Sequence, residues 1–240
     1  MMFKNRKFLI FLLPVLVLSF CITSCKTNEE NAEKPQKEEQ YVMGMIANKP
    51  DDLLILDSDL IITGTVKEIG KSKWSNPNFE KGKEIRNIIR TDIYVEVDNF
   101  IYGKSSTNTV AVRINKGEDE TTIVHSEGYP DFTVGEKVLL FLARERGDVA
   151  TDEDYYILVG MNQGKYNLED SGKAEGANMK DSADGAKYVN LEYPTENRTF
   201  EIGTLKQQIK EEHEKRPNYR EERAQKEAET REKNKELFGE

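Results

Sequence analysis

In this 240-residue chain the residue types that do chemistry gather in few places. The densest is "GKSKWSNPNFEKGKEIRNIIR", residues 70 to 90. It carries Lys71, Lys73, Lys81, Lys83, Arg86 and Arg90 against only Glu80 and Glu84, in a protein of formal net charge -9. It also holds the only tryptophan, Trp74, with Phe79 nearby. Ammonium groups hold phosphate or carboxylate, and an indole stacks on a ring or sugar face. The expected ligand-binding residues are therefore Lys71, Lys73, Trp74, Phe79, Lys81 and Lys83. A plainer alternative is a solvated hairpin loop paired with the acidic "GEDE" at 117 to 120.

Other chemistry is poorly supplied. There are two histidines, His125 in "TTIVHSEGYP" and His213 in a charged C-terminal stretch, too few and too separated for a multi-histidine metal site. "HSE" at 125 to 127 invites a hydrolase reading, but no G-x-S-x-G elbow accompanies it, and His125 reads as a loop residue. No phosphate-cradling glycine loop is present. Asp181 and Asp184-Gly185 lack the 12-residue calcium pattern. Carboxylates are so abundant that no pair stands out. The expectation is a non-enzymatic protein with no catalytic residue, resident metal or cofactor.

Both cysteines lie in "LSFCITSCKTNEE", residues 18 to 30. Lys4, Arg6 and Lys7 precede an apolar run, Phe8 to Phe20, the length of a secretory core segment and short of the roughly 20 residues of a comfortable membrane span. Ile22, Thr23 and Ser24 then lead into Cys25. This resembles the bacterial lipobox, whereas bulky Phe20 disqualifies Cys21. The resemblance implies that the Cys25 thiol is diacylated and that the chain is cut just before it. Two acyl chains anchor a protein stably where one does not. The mature chain would then hold no free thiol, excluding disulfides, cysteine-bound zinc and a cysteine nucleophile. The expected location is the extracytoplasmic face of the cell membrane.

The elements that must position these residues follow from pattern. Residues 1–24 read as signal peptide. Residues 25–47 read as acylated cysteine and disordered tether, because "KTNEENAEKPQKEEQ" has no strong apolar residue. The acidic balance argues against nucleic-acid binding. Pro50-Asp51-Asp52 opens a short helix with an acidic first turn. Strands follow in "DLIITGTVKEIG", "TDIYVEVDNFIYG", "NTVAVRI", "KVLLFLA", "DYYILVG" and "GKYNLED", with Gly, Asn and Asp in the gaps. The first alternates as a half-buried strand, and Gly64 marks a bend or close backbone approach. "KVLLFLA" reads as buried on both faces. Short strands without intervening helices predict a mainly β fold.

The order "SDLIITGTV", "TDIYVEVDNFIYGK", "FTVGEKVLLFL", "YYILVGMNQGKY" resembles a family of secreted and lipid-anchored bacterial proteins. That family is similar to the netrin-like module of metalloproteinase inhibitors, a Greek-key β-barrel of the OB type. The resemblance spans roughly residues 50 to 170. It implies a small OB-like barrel in which Gly135-Glu136 turns into the central strand. It carries no activity, since such barrels host many functions. Zinc chelation by an N-terminal cysteine does not transfer, because Cys25 would be acylated and tethered away from the barrel.

The barrel domain is expected over 48–210, with a mobile loop near 171–187 and an edge strand at Tyr188–Tyr193. Phe200, Ile202, Leu205 and Ile209 predict a docking helix. Beyond it, 211–240 reads as a charged, solvated, partly helical arm broken near Pro217 and supported by pairs such as Glu212–Arg216. The expected function is binding of an anionic envelope polymer or headgroup at loop 70–90. The alternative is an accessory subunit docking a membrane protein partner.

Overall fold

The computed structural model describes residues 36–42, 48–76, 87–146, 153–176 and 198–238. Cys21, Cys25, Phe79, Lys81, Lys83, the Asp181–Gly185 stretch and the expected edge strand at Tyr188–Tyr193 lie outside them.

Five strands close a barrel. Strand β2 (Leu60–Ile69) pairs antiparallel with β4 (Ile89–Tyr102) and with β8 (Lys137–Ala143). Strand β4 pairs with β5 (Thr109–Ile114), which pairs in parallel with β9 (Tyr156–Leu158), and β9 closes on β8. This is the expected OB-like Greek-key barrel. Its interior holds Leu60, Ile62, Val66, Ile93, Val95, Val112, Leu140 and Leu142, the inward positions that period-2 alternation marks. The far edge of β8 continues into β10 (Lys165–Leu168), β11 (Lys173–Gly176) and β12 (Thr199–Glu201).

A second core lies outside the barrel. Helix α1 (Asp51–Asp57) and helix α2 (Ile202–Lys215) contribute Leu54, Ile55, Leu205 and Ile209. These pack with Ile61, Leu139 and the ring cluster Phe141, Tyr166 and Phe200. The start of β2 is thus buried on both faces rather than one. Gly64 sits where β2 bends: the register with β4 shifts between Thr63 and Gly64, and a Cβ there would lie 2.5 Å from the Glu96 carbonyl oxygen. Gly135, at φ +89°, makes the turn into β8.

Four expectations are corrected. Glu38–Val42 of the expected tether forms strand β1, paired in parallel with β7 (Thr122–Ser126), which also pairs with the short β6 (Gly117–Glu118). Its order comes from backbone hydrogen bonds and a Tyr41–His125 ring stack at 4.6 Å, which composition does not show. His125 is therefore on a strand, not a loop. The loop expected at 171–187 begins as strand β11, where small Ala174 is fully buried in the outer core. Phe200 belongs to β12, and α2 begins at Ile202.

The arm is also attached. Helix α2 runs through the expected boundary at 210 to Lys215, the chain breaks around Pro217, and helix α3 spans Tyr219–Phe238. Tyr219 donates to Asp57 Oδ1 at 2.9 Å and Arg220 Nη1 to Asp59 Oδ1 at 2.9 Å. Arg216 pairs with Asp52 and Arg223 with Asp57. From Arg220 to Glu236 every residue is exposed. Among the described residues no helix is long and apolar enough to cross a membrane.

Candidate ligand-binding cleft

Where β2 ends, β4 begins and β5 ends, the barrel presents an open cleft of about 540 Å³. The register brings these ends together: Ile69 faces Ile93, and Thr91 faces Ile114. Three polar contacts tie the rim. Ser72 and Thr91 hydroxyls lie 2.8 Å apart, Thr91 Oγ1 donates to the Lys116 carbonyl at 2.6 Å, and the Glu118 amide donates to Ser72 Oγ at 3.1 Å. The floor is apolar, formed by Ile69, Ile93, Ile114 and Phe132. Ile93, Ile114 and Phe132 are buried side chains of the barrel core, while Ile69 is 42% exposed.

The wall carrying Asp131 and Phe132 is held from below. Lys165 is only 4% exposed. Its ammonium donates to the Asp131 carbonyl at 2.9 Å and to Glu136 Oε2 at 3.1 Å, and lies 4.8 Å from the Phe132 ring centroid. A buried lysine requires such partners, since an unpaired interior charge is costly. The sequence reading places Lys165 in the strand "GKYNLED" and gives no sign of its burial.

Loop 70–90 contributes to this cleft in part. Lys71 lines it. Lys73 and Trp74 form the short strand β3, paired with Arg90 and Ile89 of β4. Trp74 is half-buried, and its Nε1 donates to Asp119 Oδ2 at 2.9 Å. This loop therefore does contact the "GEDE" segment, through the indole and Ser72. Lys71 and Lys73 are exposed and have no acidic partner among the described residues. The other rim cations are paired: Lys37 meets Glu118 at 2.9 Å, and Lys116 meets Asp131. Ile69, Ser72, Thr91, Lys116, Asp131 and Phe132 were not expected at the site. They come together only through strand register, and a single sequence shows no signal for them.

The remaining candidates lie elsewhere. His125 stacks on Tyr41, with Nε2 3.8 Å from Glu39. His213, on the last turn of α2, stacks on Tyr102 at 4.9 Å. Among the described residues no group of three or more His, Cys, Asp or Glu is placed to hold a metal ion. The cleft offers an exposed apolar residue, Ile69, beside the Lys71 ammonium, with Lys73 exposed on the adjoining strand β3. No family model matches the chain, and no curated protein matches it either.

Proposed function

We propose that this is a lipid-anchored, non-enzymatic surface protein whose barrel binds an anionic envelope component at the cleft beside Lys71, Lys73 and Trp74. The observation that carries this reading is the pairing of an exposed apolar residue, Ile69, with two cations that have no acidic partner among the described residues. The rim is not basic throughout, because Glu118, Asp119, Glu120 and Asp131 also line it. That mixture favours a ligand with one anionic group and a ring or apolar portion over a uniformly charged polymer. Attachment at Cys25 rests on the lipobox resemblance, and it would hold the cleft near lipid headgroups and wall polymers.

The test is co-sedimentation of the acyl-free chain with purified anionic wall polymer and, separately, with phosphatidylglycerol vesicles. Wild type is compared with Trp74→Ala and with Lys71→Glu/Lys73→Glu. The proposal expects salt-sensitive binding to one of the two materials, weakened in both variants. Binding that persists in both variants refutes the site.

The accessory-subunit reading is favoured by a different observation. Strand β1 lies at a sheet edge, with Tyr41 64% and Val42 53% exposed. Stable stoichiometric capture of one membrane protein after crosslinking in cells would support it.

A further inference from the structure

The C-terminal arm meets the domain through two kinds of contact. Helix α2 is held by buried apolar side chains, Leu205 and Ile209. Helix α3 is held at its root by ion pairs and hydrogen bonds. Arg216 just before it, and Tyr219, Arg220 and Arg223 within it, fall on Asp52, Asp57, Ser58 and Asp59, at and just after α1. Tyr219, Arg220 and Arg223 recur at helical spacing on α3, and Arg216 at the elbow reaches the same acidic face of the domain.

His213 sits inside this joint. Its ring lies on Tyr102 of β4 at an interplanar angle of 19°, and its Nε2 is buried without a hydrogen-bond partner. Arg220 of α3 is the charge acting on it, itself bound to Asp59. Asp57 of α1 is taken up by Lys49, Tyr219 and Arg223. Burial, then the Arg220 charge, push the His213 imidazole below its ordinary value. No described carboxylate bonds to His213 to offset a proton there.

We infer that α3 is an electrostatic strap on the acidic α1 face, released by salt and by mild acid, with His213 as the acid-sensitive joint. The sign follows from linkage. A released His213 takes up its proton first, at about the ordinary imidazole value near 6.5, so the docked state loses ground as pH falls below that value. Asp57 does not blur this window. Burial raises its carboxyl, but hydrogen bonds from Lys49, Arg223 and Tyr219 outweigh that and hold it below the usual carboxylate range. Its protonation would release the strap only in stronger acid. Salt acts separately, because the Debye length shrinks from about 10 Å at 0.1 M to about 3 Å at 1 M. Release would uncover Asp52, Asp57 and Asp59 and free the last turn of α2, which carries His213, while Leu205 and Ile209 keep the rest of α2 packed.

Energy transfer between dyes on Ser106→Cys and Lys233→Cys tests this, in the full chain with Cys21→Ser and Cys25→Ser. At about pH 7.5 in low salt one narrow docked population is expected. At about pH 5.5, across the imidazole range, that population should fall at least twofold, and likewise in about 1 M salt. Arg220→Gln/Arg223→Gln, on an exposed helix face that bears no core contact, should give the released population already at neutral pH. His213→Phe keeps a ring on Tyr102 and should abolish the acid response while the salt response stays. A docked population unchanged by salt, or an acid response that survives in His213→Phe, overturns the inference.

Discussion

Gly64 shows how one residue sets the site's geometry. The β2 bend that carries Ile69 and Lys71 towards the start of β4 depends on backbone contact at Gly64, where a side chain would press on the Glu96 carbonyl and the Val95 side chain. Both neighbours belong to a fully formed sheet, so neither can yield cheaply. Gly64→Ala is expected to destabilise the domain by about 1–3 kcal/mol, as overpacking does. A lowered denaturant midpoint with unchanged slope would check it. This role was legible in the sequence, because a glycine inside an alternating strand weakens it unless the backbone bends or is closely approached there. The role of Lys165 was not: its burial depends on Glu136 and the Asp131 carbonyl, which approach only when β10 pairs with β8.

At the scale of elements, the legible strands are those with a strong period. β2, β4, β5 and β8 lie where the alternation and the apolar run put them. Strands β1, β11 and β12 leave no such mark, being short pieces whose sequences, "EEQYV", "KAEG" and "TFE", have no apolar period. Their pairing partners determine them. The arm shows the same limit. Its lack of an apolar stripe correctly predicts an exposed helix, but its attachment to Asp52, Asp57 and Asp59 depends on where the fold brings α1. Two truncations separate the contributions. Removing residues 217–240 deletes Tyr219, Arg220 and Arg223 and none of the described core side chains. It should lower stability more in low salt than in high salt, since it strips Arg223 from Asp57, whose side chain is only 5% exposed, and Arg220 from Asp59. Removing residues 200–240 also strips Phe200, Leu205 and Ile209 from the outer core, at about 1.5–3 kcal/mol each, and should lower stability by several kcal/mol. Chemical denaturation at two salt concentrations distinguishes the outcomes.

At the scale of the whole molecule, the proposal joins an anchor to a cleft. Cys25→Ser should abolish acylation and release the protein from membranes, while Cys21→Ser should leave both intact. Metabolic labelling with a fatty acid checks this, and the opposite pattern would reverse the assignment of the two cysteines. Trp74 is a built-in reporter for ligand binding at the cleft, being the only tryptophan and lying on β3 beside Lys71 and Lys73. The decisive measurement is its fluorescence during titration of the acyl-free chain with phosphatidylglycerol vesicles or purified anionic wall polymer. A saturable spectral change with one of them is expected, weakening between about 0.1 M and about 1 M salt. In Lys71→Glu/Lys73→Glu the apparent affinity should fall at least about tenfold, since each surface lysine contributes about 1 kcal/mol against an anionic surface and both charges are reversed. An unchanged Trp74 spectrum with both materials, or equal affinity in the charge-reversed variant, would contradict ligand binding at the cleft.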